Sequence, residues 1–318
     1  MDITALGEIL IDYTPMPKSP AGMQVFEQNP GGAPANVLAC AARLGRETAF
    51  IGKIGCDMQG EFLRQTLVDA GIDDRGVISD PDYFTTLAFV SLSPSGERSF
   101  AFARKPGADT RLRADELDGE LLGQTAILHV GSLSLTDEPA RTATLRAIET
   151  AKAAGAVISY DPNYRPLLWA SEEAAIEQMR SILSSVDIIK ISDEETALLT
   201  GEAAPEAAAQ KLLGQGIPVV MVTLGAKGAL VATRAGMETV PGFKSEAVDT
   251  TGAGDSFWGG FLFCLAQSGK RPSELTAAEA AEFARFGNAV ASLNVAGRGA
   301  IPAMPTMEAV RARLAGEA

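Results

Sequence analysis

Short apolar runs alternate with longer amphipathic segments along most of this chain. Runs at 4–9, 48–54, 126–130, 157–160, 188–191 and 219–223 are brief and almost continuously apolar, which predicts strands buried on both faces. Between them, Ala-rich segments with a helical period predict helices over 35–44, 59–70, 138–154, 172–184, 193–199 and 205–213. Beyond residue 253 the pattern becomes helical, over 255–267, 277–293 and 307–314. This alternation predicts an α/β fold, a mostly parallel sheet between two layers of helices.

Two stretches break the pattern. Residues 12–30 are rich in Pro and Gly and have no helical period. Residues 83–105 read as two β runs, 84–92 and 98–103, around the turn Ser93-Pro94-Ser95-Gly96, which signals a hairpin. Neither stretch fits a βαβ unit, so both are expected in a small β-element projecting from the sheet as a lid. No repeat or low-complexity linker divides the 318 residues, and 1–318 reads as one domain.

Charge and composition narrow the function. Lys+Arg is 27 against Asp+Glu 40, a net charge of −13 with no basic run, which speaks against a nucleic-acid partner. The longest strongly apolar stretch, 257–266, is far below the roughly 20 residues that span a bilayer. Acids interrupt the N-terminal apolar run, so no secretory signal is read there. Cys40, Cys56 and Cys264 are far apart and form no CxxC, which fits a reducing, cytoplasmic setting without disulfides. The single histidine, His129, excludes a multi-His metal site; its apolar strand suggests a core residue.

Three segments carry the chemistry. In Asp249-Thr250-Thr251-Gly252-Ala253-Gly254-Asp255-Ser256, small residues lead into an apolar helix. Such a turn offers free N–H groups and the positive end of the helix dipole to an anion. Asp255 beside it either accepts a proton from an attacking hydroxyl or only caps the helix. The run is not a Rossmann fingerprint, and no GxxxxGK[ST] occurs. In Asn29-Pro30-Gly31-Gly32-Ala33-Pro34-Ala35-Asn36, two glycines let a ligand approach the backbone, or serve a tight turn into a buried helix; Asn36 is less well explained by the turn alone. Asp161-Pro162-Asn163-Tyr164-Arg165-Pro166 follows a predicted strand, where open α/β sheets bind ligands; alternatively Arg165 merely pairs with Asp161. Ser192-Asp193-Glu194-Glu195 has capping-box spacing or organises magnesium. Thr223-Leu224-Gly225-Ala226-Lys227-Gly228 reads as a strand–turn–strand connection.

The chain resembles the PfkB (ribokinase-like) carbohydrate kinases over essentially its whole length. The resemblance is carried by Gly31-Gly32-Ala33-Pro34-Ala35-Asn36 and by Asp249-Thr250-Thr251-Gly252-Ala253-Gly254-Asp255. A closer similarity, to bacterial and plant fructokinases, is carried by residues 100–109 and by Asp161-Pro162-Asn163-Tyr164-Arg165 with Leu168-Trp169. The resemblance implies an αβα sandwich with a β-lid and ATP-dependent phosphorylation of a sugar hydroxyl. It implies that Asp255 is the base and that Gly252, Ala253 and Gly254 form the anion hole. Asp12, Gly31, Gly32 and Asn36 would hold the sugar, with Phe102, Arg104, Asn163 and Arg165 closing the site. Ser192, Thr223, Gly225, Gly228 and Asn288 would contact the nucleotide. Glu195 would organise Mg2+. Asp249 and Thr251, with Asn294, Gly297, Gly299 and Ala303 nearby, would form a monovalent cation (K+) site. One departure is Ser192, where many relatives carry Asn.

Two sugar-kinase alternatives remain. A 2-keto-3-deoxygluconate kinase would use Arg104 and Arg165 on a carboxylate, and a ribokinase fits the Arg165 and Leu168-Trp169 context less well. A non-catalytic sugar-binding module would not be expected to keep Asp255 and its loop intact. A nicotinamide-dependent oxidoreductase lacks its glycine fingerprint. The β-lid is also a candidate homodimer surface.

Overall fold

The computed structural model describes residues 1–92 and 98–316. Its strands are β1 (Ile3–Leu6), β2 (Leu10–Met16), β3 (Val25–Gly31), β4 (Thr48–Gly55), β5 (Ile72–Asp80), β6 (Leu87–Leu92), β7 (Arg98–Ala103), β8 (Ile127–Gly131), β9 (Val157–Asp161), β10 (Ile188–Ser192), β11 (Val219–Thr223), β12 (Gly228–Thr233) and β13 (Gly236–Pro241). Its helices are α1 (Ala33–Arg43), α2 (Met58–Asp69), α3 (Gly119–Gly123), α4 (Ala140–Ala153), α5 (Glu172–Ser181), α6 (Thr196–Thr200), α7 (Pro205–Gly214), α8 (Ala253–Ser268), α9 (Ala277–Asn294) and α10 (Met307–Ala315).

Side chains alternate across the strands and so build two cores, one on each face of the main sheet. Ile3, Phe50, Val219 and Met221 point to one core, with Val37, Leu38, Trp258 and Phe261 from α1 and α8. Leu6, Ile51, Val220 and Val222 point to the other, with Ala143, Ala147 and Ala209 from α4 and α7. The nine strands run in the order β13-β12-β11-β10-β9-β8-β1-β4-β5. From β11 to β5 neighbouring strands are parallel, and β12 and β13 are antiparallel. The result is the expected αβα sandwich. Among the described residues, no helix is long and apolar enough to cross a membrane.

The lid is a separate four-stranded sheet, β3-β2-β6-β7. Two antiparallel pairs, β2–β3 and β6–β7, are joined by the parallel pairing of β2 with β6. On it Tyr13 and Phe89 stack at 5.3 Å, and Phe26 meets both edge-on. Phe26 and Phe89 are exposed at 41% and 37%. The turn expected at Ser93-Pro94-Ser95-Gly96 lies outside the described residues.

Several elements differ from the sequence reading. The run 4–9 is not one strand: β1 stops at Leu6, Gly7 bonds to Ile51 O at 3.1 Å, and the chain then leaves for the lid. β5 and β13, the two edges of the main sheet, were not anticipated. β5 carries Asp73, Asp74 and Arg75, and an edge strand has no need of two buried faces. Ser192 does not cap a helix. The segment 193–199 becomes helical only at Thr196, where α6 begins. The connection at 223–228 is as read, β11 turning back antiparallel into β12.

His129 is buried beside Ser159, whose hydroxyl accepts from Trp258 Nε1 at 2.9 Å and lies 3.0 Å from His129 Nδ1. The serine's one proton is then free for Nδ1, which fixes a neutral imidazole. Burial pushes its pKa down to about 3. The histidine is a core residue.

Candidate active site

The carboxyl ends of β9, β10 and β11 open on a cavity of about 870 Å³, closed on one side by the lid and on another by the head of α8. That is where an open α/β sheet offers its binding crevice. Asp161 ends β9, Ser192 ends β10 and Thr223 ends β11.

Gly252 is the N-cap of α8, with φ 78°, and a Cβ there would lie 2.5 Å from Ala300 Cβ. Its left-handed backbone and close contact both require glycine. The first bond back into the helix is from Ser256 N to Gly252 O, at 2.7 Å. In the preceding turn Ala253 N bonds to Thr250 O at 3.2 Å, and the N–H groups of Gly254 and Asp255 have no helical partners, which is what a helix head offers to an anion. Asp255 lies within this turn and is not the N-cap. Its Oδ2 accepts from Asn36 Nδ2 at 2.8 Å and its Oδ1 from Asn163 Nδ2 at 3.4 Å. Burial raises its pKa. The Asn36 bond opposes the rise, Asp161 adds to it, and Lys190 and Arg165 oppose it. The carboxylate is thus held by side-chain amides, with its proton affinity set by four charged or polar neighbours.

Asn36 comes from α1, whose helix starts directly after the Gly31-Gly32 turn. Gly32 has φ 110°, and a Cβ there would meet Glu8 O at 2.5 Å. Asn163 is the one described non-glycine residue at positive φ, 46°, a conformation that Asn tolerates. Asp12, on β2, faces the same cavity, and burial lifts its pKa to about 6 against the pull of Arg165.

The structure brings most of the sequence-derived residues together. Asp12, Gly32, Asn36, Phe102, Asn163 and Arg165 line the cavity. So do Ser192, Thr223, Gly225, Glu195, Asp249, Thr251, Gly252, Ala253, Gly254, Asp255 and Gly299. Others stand behind the wall. Gly31 packs against the Asp12 carboxylate. Asn288 donates to Val240 O and Pro241 O, both at 3.2 Å, and Gly228 sits against Val240. Asn294 donates to Ala300 O at 3.1 Å, and Gly297 packs on Ala303.

Arg104 departs furthest from the expectation of a sugar contact. It is buried and pairs with Asp109 at 2.7 Å, and its other nitrogens donate to Thr136 Oγ1 and Leu133 O. It does not line the cavity. Arg165 does, with one bond to Tyr164 O at 3.1 Å; it does not pair with Asp161, whose partner is Lys190.

Two buried, charged residues of the cavity escaped the sequence reading. Lys190 is a lysine inside the apolar run of β10, and that misfit was the available signal. Glu8 interrupts the first apolar run and is 3% exposed. Its Oε1 accepts from Ala33 N at 3.0 Å, its Oε2 has no partner, and burial lifts its pKa to about 7.

Glu195 bridges two strand ends: Oε1 accepts from Tyr164 N at 2.7 Å, and Oε2 from Ser192 N at 2.8 Å. Asp249 Oδ1 accepts from Thr251 N and Oγ1, and its Oδ2 from Gly299 N at 3.1 Å. Among the described residues, no group of three or more His, Cys, Asp or Glu could hold a metal by itself.

Comparison with known proteins places the chain in a family. The profile of the pfkB family carbohydrate kinases matches residues 1–307. Fructokinase-1 of Zea mays is 44% identical over 308 residues, covering 96% of this chain and 94% of that protein. The crystal structure of a Xylella fastidiosa fructokinase with bound ATP superposes with a TM-score of 0.90, at 34% identity and covering 99% and 98% of the two chains. A double-mutant fructokinase from Vibrio cholerae O395, in its fructose, ADP and potassium ion bound form, gives 0.89 at 34% identity, covering 99% of this chain and 98% of that one. The family match over residues 1–307 and these full-length similarities agree, and the chain belongs to the pfkB family of carbohydrate kinases.

Proposed function

We propose that this protein is an ATP-dependent fructokinase that converts fructose to fructose 6-phosphate. The observation that carries this reading is Asp255, buried at the head of α8 between Asn36 and Asn163. Phosphoryl transfer needs positioning and charge stabilisation more than a strong nucleophile. As the sugar hydroxyl attacks the γ-phosphorus, its proton passes to Asp255, and the bond from the γ-phosphorus to the bridging oxygen breaks to release ADP. The N–H groups of the Gly252–Gly254 turn stabilise charge on the moving phosphoryl. Asp12, Gly32 and Asn36 hold the sugar while Phe102 closes the lid side. Ser192, Thr223 and Gly225 line the nucleotide end.

Mg2+ usually binds through one or two carboxylates, water and substrate phosphates. Glu195 fits that pattern through Oε1, which accepts from Tyr164 N and keeps a second lone pair, whereas Oε2 accepts from both Ser192 N and Ser192 Oγ. Bound there with ATP, the ion would neutralise phosphate charge. A monovalent cation such as K+ fits beside Asp249 and Thr251. Asn294 Oδ1 is a buried acceptor without a partner, and it lies 3.8 Å from the position of a Cβ on Gly252.

The position of Arg104 favours a neutral sugar over a keto-acid. One of the two arginines that could pair with a carboxylate is committed to Asp109. The exposed Phe26 and Phe89 of the lid are offered to a second copy of the chain. A coupled ADP-release assay over fructose, ribose and 2-keto-3-deoxygluconate tests the function, and a preference for either of the latter two would overturn it.

A further inference from the structure

The proposed base is not held by its two amides alone. Lys190, on β10, donates through Nζ to Asp161 Oδ2 at 2.8 Å, and the two side chains are 7% and 2% exposed. The other Asp161 oxygen accepts from Asn163 N at 3.2 Å. Asn163, held at φ 46°, reaches Asp255 Oδ1 with its own amide. Connected polar contacts therefore run from Lys190 through Asp161 and Asn163 to Asp255. The ammonium also lies under the anion turn, since a Cβ on Gly254 would sit 3.0 Å from Nζ. The glycine leaves room for the lysine as well as for a phosphoryl group.

We infer that Asp161 and Lys190 are paired positioning residues for the base: Asp161 fixes Asn163 against Asp255, and Lys190 offsets the charge that Asp161 brings there. A buried carboxylate left without its cation is strongly destabilising, so each partner needs the other. The pair also acts on Asp255 with opposite signs, Asp161 raising its pKa and Lys190 opposing. The other charged or titratable groups acting at Asp255 are Arg165, from the loop after β9, Asp12 from β2 and Cys40 from α1. The Cys40 thiol is pushed well up by burial and stays neutral.

This inference rests on the reading of Asp255 as the base, and its test separates the two. The pH dependence of kcat/KM for fructose reports the free enzyme's base. Lys190→Met should move the acid limb up by about one pH unit, and Asp161→Asn should move it down by about as much, the usual effect of a nearby charge. Lys190→Arg should restore the wild-type limb. The double variant Asp161→Asn/Lys190→Met, in which neither charge remains, should return the limb to within about 0.3 unit of wild type. Limbs that stay fixed or move together would make the pair a structural strut and overturn the inference. If one single variant does not fold, the other decides, read against wild type and the double variant, and a limb that stays fixed in it overturns the inference. A wild-type enzyme that phosphorylates no sugar would instead overturn the base reading, and this inference with it.

Discussion

Asn36 and Asp255 are 219 positions apart in sequence, yet Asn36 Nδ2 lies 2.8 Å from Asp255 Oδ2. One stands in the first turn of α1 and the other in the first turn of α8. The two motifs that drew attention as separate signals are therefore two sides of one carboxylate. Close packing of the helices fixes this approach: a Cβ on Gly259 would sit 2.6 Å from Cys40 Cβ.

The first prediction concerns that carboxylate. Asp255→Asn should lower kcat by about a thousandfold, within the span that general-base catalysis supplies. Stability should hold, because the substitution removes a buried charge and keeps the shape. Thermal unfolding and kcat measured on the same preparation check both halves. A variant with near-normal turnover would show that Asp255 is not the base.

The main sheet was legible because its parallel strands are buried on both faces. All eight residues of β4 and all five of β8 are buried, and such runs stand out against Ala-rich helices. The edges were not legible, since β5 alternates buried positions with Asp73, Asp74 and Arg75. In the site, glycines and amides at helix heads showed through because their spacing is local. Lys190 and Glu8 did not, since each depends on a partner distant in sequence: Asp161 for the lysine, the Ala33 N–H for the glutamate. Arg104 misled for a different reason: the resemblance implied a sugar contact, whereas its ion-pair partner Asp109 is close in sequence. Its remaining nitrogens are taken by Thr136 and Leu133, about 30 residues on.

The second prediction concerns the cation. Asp249 links Thr251 to Gly299, so an ion beside it would order the loop that leads into the anion turn and add positive charge nearby. Activity in K+ should exceed activity in Na+ or tetramethylammonium at equal ionic strength. Asp249→Asn should abolish the difference. Equal rates in all three salts would remove the site.

The third concerns Arg104. Its ion pair with Asp109 is buried, with both side chains 3% exposed. Removing one partner of such a pair typically costs about 3–5 kcal/mol, because the other charge stays behind. Arg104→Ala should therefore show its main effect in denaturant unfolding, and Arg104→Lys should recover only part, lacking the planar fork. A raised sugar KM with unchanged stability would place the guanidinium at the ligand after all.

The fourth concerns Glu8. Its side chain is buried, one oxygen has no partner, and burial lifts the pKa from an ordinary 4.5 to about 7. A group with a raised folded-state pKa gives stability that is present below the unfolded value and is lost as pH rises through the folded one. The wild-type protein should therefore lose stability between about pH 4.5 and 7 through this residue, by up to about 3 kcal/mol. Glu8→Gln cannot ionise, and the amide oxygen can still accept from Ala33 N. Its stability relative to wild type should improve from about pH 4.5 to pH 7 and level off above that, whatever fixed offset the substitution carries. Urea unfolding of both proteins at a series of pH values measures that difference, and a flat difference would mean that Glu8 ionises in the folded protein as readily as in the unfolded chain.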